Sequence, residues 1–377
     1  MKLESFQSGK LRKQYQYASF TPTSINLEWT WGDAAINLLL ERATKALSEL
    51  NAYSMVVPEV DLFIQMHITK EANTSSRIEG TQTNMDEAVM DIENVAPEKR
   101  DDWQEVQNYI QAMNDAIAEL NRLPLSNRLL KTTHGILMQG VRGEHKSPGE
   151  YRTTQNWIGG TSLADAVFIP PHQDEVAELM SDLEKFWHND GIAVPHLIRV
   201  ALSHYQFETI HPFCDGNGRI GRLLITLYLV STKFLHRPCL YLSAYLEKHK
   251  GAYYDALTTV RASHNIIHWI KFFLLAVAET AENGIQTFRQ ILELKHQVDQ
   301  KLIKLGRRTE IAHRLMNLLY RRPVITSPQA VAALGVTQKT AIDLIGKLAE
   351  LGILREITGY KKNRIFIFHE YLALFTS

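Results

Sequence analysis

At 377 residues and 43.1 kDa the chain is too long for one ordinary core and is expected to hold two or three domains. A hydrophobic fraction of 45% with 22% charged residues excludes wholesale disorder, and 41 Lys and Arg against 41 Asp and Glu exclude a global electrostatic drive toward nucleic acid. Two cysteines, Cys214 and Cys239, are too few for a disulfide framework or a cysteine-rich zinc site. The opening residues lack a secretory apolar core and no apolar run approaches a membrane span, so a cytoplasmic protein without membrane association is expected.

In chain order, apolar positions spaced three and four apart predict helices at Ile36–Leu50, Trp103–Leu120, Leu129–Met138 and Val176–Trp187. The same pattern continues at Pro195–Thr209, Arg219–Val230, His264–Asn283 and Gly284–Leu305. Between them Tyr151–Pro171 breaks the period, with β-branched and aromatic residues around Gly159-Gly160, which predicts a hairpin. The end of the chain differs in charge: residues 301–377 hold thirteen Lys and Arg against five Asp and Glu. Helices at Glu310–Tyr320, Ser327–Leu334 and Thr337–Leu351 precede a basic two-stranded hairpin turning at Gly359, with Lys361, Lys362 and Arg364. That order resembles a winged helix-turn-helix. The expected fold is therefore mainly α, divided at 1–110, 111–290 and 291–377.

The most informative stretch is His211–Arg222, HPFCDGNGRIGR, between two apolar helical segments. Gly216-Asn217-Gly218 permits a tight turn with exposed N–H groups, and a helix starting near Arg219 turns those groups and its dipole into an anion site. Arg219 and Arg222 add bidentate phosphate donors from one face of the first turn. Asp215 supplies the single carboxylate that suits Mg²⁺ when phosphates complete its shell. His211 is the base with an ordinary pKa near neutrality. A plain helix–helix turn does not require all of these in register.

The stretch matches every fixed position of the signature of Fic-domain proteins, H-x-F-x-D/E-G-N-G-R-x-x-R. The resemblance implies transfer of AMP from ATP to a Ser, Thr or Tyr hydroxyl of a target protein. In that reading His211 is the general base, Phe213 anchors the loop, and Asp215 binds Mg²⁺. Gly216, Asn217 and Gly218 cradle the α- and β-phosphates, and Arg219 and Arg222 hold the β- and γ-phosphates. Ile220 and Gly221 lie between them in the same ATP-binding run. Upstream, Ser75–Gly80 (SSRIEG) is similar to the family's inhibitory motif, S/T-x-x-x-E-G/N, in which a glutamate occupies the second arginine. Ser75 and Glu79 are then inhibitory, because a carboxylate on Arg222 fills the guanidinium fork that a γ-phosphate needs. Asp165–Pro171 resembles the family's flap, which aligns a target by strand addition, with Val167, Phe168 and Ile169 at its edge. Tyr253 and Tyr254 fall where the family closes over adenine, and Tyr254 is taken as the stacking residue.

The expected cofactors are ATP and Mg²⁺. The expected partners are a hydroxyl-bearing target protein, DNA through 301–377, and a second copy of the chain. Two alternatives share this sequence: a DNA-binding regulator acting through Thr337–Thr340, and a Fic-type enzyme that uses another nucleotide or removes AMP.

Overall fold

The computed structural model describes residues 1–57, 59–140, 144–360 and 362–376, so Lys361 of the expected wing lies outside the described residues. A β-hairpin, β1 (Gly9–Lys13) and β2 (Ala18–Pro22), precedes the helices. Asp33 caps α1 (Ala34–Val56) by accepting the Ala35 N–H. Then follow α2 (Val60–Ile78), the short α3 (Met85–Ala88), α4 (Arg100–Glu119) and α5 (Asn127–Leu137), which Ser126 caps. The central helices are α6 (Val176–His188), α7 (His196–Ile210) and α8 (Asn217–Ser231). They lead into α9 (Ser243–Lys248), α10 (Lys250–Ser263) and α11 (Ile266–Ile303).

The helix α11 replaces the two separate helices expected on either side of residue 284. Gly284 sits inside it because Leu50 of α1 packs there: a Cβ would lie 3.0 Å from Leu50 Cδ1. Close helix contact, not a helix end, accounts for that glycine. Likewise α2 has no amphipathic stripe to read from sequence. It is buried almost all round, and Glu71, Asn73, Thr74, Ser75 and Ser76 are among its buried side chains.

The tail comprises α12 (Thr309–Arg321), β3 (Val324–Thr326), α13 (Ser327–Leu334), α14 (Gln338–Glu350), β4 (Arg355–Glu356), β5 (Ile365–Ile367) and α15 (His369–Thr376). Its antiparallel sheet runs in the order β3-β5-β4. Thr326 and Gln329 form a capping box at α13, and Gly335, at φ 68°, turns the chain into α14. This is the winged helix expected from the sequence, with α14 in the recognition position.

The tail is docked on α2. Phe63 packs edge-on against Tyr320 and Tyr371, with ring centroids 5.3 and 6.4 Å apart. His67 lies between Phe288 of α11 and Phe375 of α15. Arg322 donates to Val89 O at 2.7 Å and pairs with Asp91, which also accepts from Gln329. Residue 110 falls inside α4 and residue 290 inside α11, so continuous helices cross both expected boundaries. Among the described residues no helix is long and apolar enough to cross a membrane.

Candidate active site

The site is built where α7 ends and α8 begins. His211 terminates α7 in the left-handed conformation (φ 50°), its N–H still bonded to Phe207 O. Gly216 then takes φ 71° as the cap of α8, a geometry that favours glycine. Asn217 clips the intervening loop to itself: its Oδ1 accepts from Phe213 N and its Nδ2 donates to Phe213 O, both at 2.8 Å. Phe213 is fully buried, stacked on His134 with centroids 3.8 Å apart. His134 in turn contacts Asp215 O through Nε2 (3.1 Å) and accepts the Gly149 N–H through Nδ1. The loop is thus held from beneath at the N-terminus of α8, where the first-turn amides have no partner within the helix.

His211 is enclosed, and its Nδ1 has no partner in hydrogen-bonding geometry. Burial, followed by the nearby Arg261 and Arg152 guanidiniums, lowers its pKa to about 3, so the imidazole is neutral and able to accept a proton. Arg152 fixes the loop to the flap base, donating to His211 O at 2.9 Å and to Pro171 O at 2.5 Å.

Two cavities meet at this loop. One of about 1110 Å³ is lined by His211, Gly218, Arg222, Tyr254, Glu208 and Arg261, together with the flap residues Val167, Phe168 and Ile169. A neighbouring one of about 560 Å³ is lined by Asp215 and Arg219. Glu79 lines both and stands between them. Arg219 and Arg222, expected on one face, therefore diverge. Arg219 Nη1 donates to Glu105 at 3.0 Å, whereas Arg222 turns to α2. There its Nε donates to Ser75 Oγ at 2.8 Å, and its Nη2 to Ser75 O at 2.9 Å and to Glu79 Oε1 at 2.6 Å.

Burial would raise the Glu79 carboxyl, and Arg222 outweighs it, leaving the group below the usual carboxylate range. Gly218 is the residue that lets this contact form, since a Cβ there would run into Glu79 Oε1 and Arg222 Nη1. Asp215 is half exposed, its Oδ1 taking the Gly216 N–H at 2.6 Å and standing 3.9 Å from Arg219. One such carboxylate fits a Mg²⁺ held chiefly by nucleotide phosphates, and among the described residues no three His, Cys, Asp or Glu gather to hold a metal themselves.

Of the two tyrosines, Tyr253 is core, bonded to His204 Nε2, and Tyr254 is the one with an exposed ring. The flap differs from the expected hairpin. It has no regular strand, only a single bridge between Ile158 and Phe168, with Gly159 and Gly160 at positive φ and Asp165 capping the Thr161 and Ser162 amides. Its side toward β2 is not free, because Phe20 donates to Ile169 O at 2.9 Å.

Three contributors went unread in the sequence. Arg261 lies 4.0 Å above the Phe168 ring and donates to Glu208 O. Glu208 is a buried carboxyl whose Oε1 is unpartnered and whose pKa burial raises to about 7. The hairpin β1–β2 supplies Gly9, Lys10, Leu11 and Phe20 to the larger cavity.

Comparison with known proteins locates these elements within families. Residues 37–118 match the model "Fic/DOC family N-terminal", residues 124–229 match "Fic/DOC family", and residues 313–365 match "HTH DNA binding domain". Among curated relatives, "Protein adenylyltransferase Fic" of Culex quinquefasciatus is 30% identical over 40% of this chain and 27% of its own. The Drosophila erecta protein of that name is 39% identical over 22% of this chain and 15% of its own. The chain thus spans about a quarter or less of these relatives' length. Among solved structures, a Fic family protein from Desulfovibrio desulfuricans covers 89% of this chain and 96% of its own, with TM-score 0.55 and 21% identity. A Fic domain signalling protein from Bacteroides thetaiotaomicron covers 65% and 97%, with TM-score 0.52 and 18% identity. These two likenesses concern the fold.

Proposed function

We propose that this chain, which belongs to the Fic/DOC family through residues 37–118 and 124–229, transfers AMP from ATP to a hydroxyl of a target protein and is held inactive by its own Glu79. The observation that carries the reading is the 2.6 Å contact of Glu79 with Arg222, in the cavity that also holds the neutral His211. A triphosphate laid on the α8 N-terminus has to run past Gly218 from one cavity toward the other, and Glu79 stands on that path.

With Glu79 displaced, Arg222 loses its carboxylate partner and can turn to the γ-phosphate. Arg219 joins it on the phosphates by exchanging its contact with Glu105, and the amides after Gly216 face the α-phosphate. The target hydroxyl attacks the α-phosphorus in line and His211 takes its proton. The new P–O bond forms as the bond to pyrophosphate breaks, and the arginines stabilise the departing charge. Mg²⁺ on Asp215 would supply charge neutralisation of the phosphates.

Labelling from α-labelled ATP tests both assignments. Glu79→Gly is expected to raise it. Adding His211→Ala is expected to lower it about 10²- to 10⁴-fold, the usual worth of a general base. An unchanged rate in the histidine variant rejects the base, and no rise in the glutamate variant rejects the lock. The mass gained by a labelled protein identifies the transferred group.

A second reading concerns the tail, which we infer binds DNA. The residues matching a helix-turn-helix model expose Thr337, Gln338, Lys339 and Lys347 on and before α14, with Lys362 and Arg364 on the wing. Full-length protein is expected to retard duplex DNA with an affinity that falls steeply with salt. No retardation at low salt rejects this reading.

A further inference from the structure

The flap segment that would align a target by strand addition is already engaged on two sides. Ile158 bonds to both Val167 and Phe168, and Phe20 of β2 donates to Ile169 O. The segment thus touches β2 through a single backbone bond, and the side of the two-stranded β1–β2 sheet away from it is the outer edge of β1.

The phase of the β1–β2 ladder says which groups that edge offers. Thr23 N–H bonds to Ser8 O and Gln14 N–H bonds to Tyr17 O. With the register Gly9↔Pro22 to Lys13↔Ala18, residues 8, 10, 12 and 14 face β2. Gly9, Leu11 and Lys13 consequently turn their N–H and C=O groups away from it. Gly9 and Leu11 line the cavity that contains His211. At Gly9 a Cβ would meet the Phe20 ring at 2.7 Å, so the backbone itself forms that wall. Around the same mouth Leu11 is 72% exposed and Val167 73%. The strand reads Gly-Lys-Leu-Arg-Lys with no acid. Arg12 is paired with Glu175, while Lys10 and Lys13 have no ion-pair partner among the described residues.

We propose that the outer edge of β1 is a docking strand for an extended, acidic segment of the target protein, whose hydroxyl residue is thereby led toward His211. Main-chain bonds to Gly9, Leu11 and Lys13 set its direction, and Leu11 takes an apolar side chain on its face of the strand. Lys10 on the opposite face draws the alternate Glu or Asp, and Lys13 adds positive charge at the strand's end. This deepens the transferase reading and rests on it. Edge lysines also serve to repel other strands. Here they flank an exposed leucine at the mouth of the reactive cavity, and an acidic strand turns their repulsion into attraction.

The test uses the full-length Glu79→Gly protein and two fluorescent peptides, one alternating Glu and Val around a central Tyr, the other with Lys in place of Glu. Anisotropy is expected to show the acidic peptide bound at least about tenfold more tightly than the basic one. The preference should disappear in Lys10→Glu with Lys13→Glu. Methylating the peptide's alternate main-chain nitrogens should weaken binding by a similar factor. Equal affinity for the two peptides, or undiminished binding by the charge-reversed protein, overturns the docking edge. Transfer of AMP to the bound peptide is read separately. Binding without any consumption of ATP keeps the edge and rejects the transferase. Consumption of ATP with no peptide preference does the reverse.

Discussion

At the scale of single residues, the site contrasts a half-buried imidazole with a buried carboxyl less than one helical turn away. His211 is kept neutral by burial and by cations around it, which suits a proton acceptor. Glu208 is pushed to about 7 by burial, against the opposing pull of Arg222, with Glu79 adding to the rise. Its sign for stability follows from linkage. A carboxyl whose folded pKa exceeds its unfolded value of 4.5 favours the fold while protonated and loses that contribution as pH rises toward 7. Glu208→Gln is neutral throughout, so its melting temperature should gain on the parent's between ~pH 5 and ~pH 8, as thermal denaturation measures. A constant difference over that range would show that Glu208 is not the group titrating. The motif residues were legible because their chemistry is local: tight turn, helix start, cations in register. Arg261 and Glu208 were not, because a lone Arg or Glu in a helical run reads as solvent-facing, and only the approach of α7, α8 and α10 encloses them.

At the scale of elements, α2 is the piece sequence patterning handled least well and the piece that carries the Glu79 contact to Arg222. Several of its polar residues point inward, Glu71 to Tyr109 and Ser243, and Ser75 to Arg222, so periodicity carries no stripe. The helix ends at Ile78 with Glu79 as its cap, one residue before Gly80. Ser75 is the buried partner of the Arg222 Nε. Ser75→Ala leaves that charged donor without its side-chain acceptor, at a cost of about 1.5–3 kcal/mol. The expected outcome is a lower melting temperature together with basal labelling above the parent and below Glu79→Gly. The flap shows the opposite failure: the glycine pair and β-branched residues announced a hairpin, yet one bridge is all that forms. Asp165 holds the turn, one bond joins Ile169 O to β2, and Arg152 and Asn156 tie the segment's base to His211 O and Phe213 O. The hairpin β1–β2 itself carries no glycine or asparagine at its turn, Gln14–Tyr17, and so gave no turn signal.

At the scale of the whole molecule, the winged helix is seated on α2, the helix whose end brings Glu79 to Arg222. Phe63 is wholly buried against Tyr320 and Tyr371. Phe63→Ala should cost about 3–5 kcal/mol, read in denaturant melts, and raise basal labelling through a loosened α2. Destabilisation with unaltered labelling would show that the two ends of α2 act independently. The tail's fold was readable from turn chemistry and charge, whereas its seat was not, since docking of one aromatic cluster on another leaves no mark on either segment's pattern.

Having one rod of 19 residues, about 28 Å long, anchored at both ends imposes a reciprocity on the protein. Any ligand that prises the aromatic anchorage apart to a degree that alters nucleotide affinity must have its own affinity altered by nucleotide, and by the identical factor. Measuring how ATP changes retention of the tail on its ligand therefore reports the same free energy as measuring how that ligand changes the occupancy of Arg222.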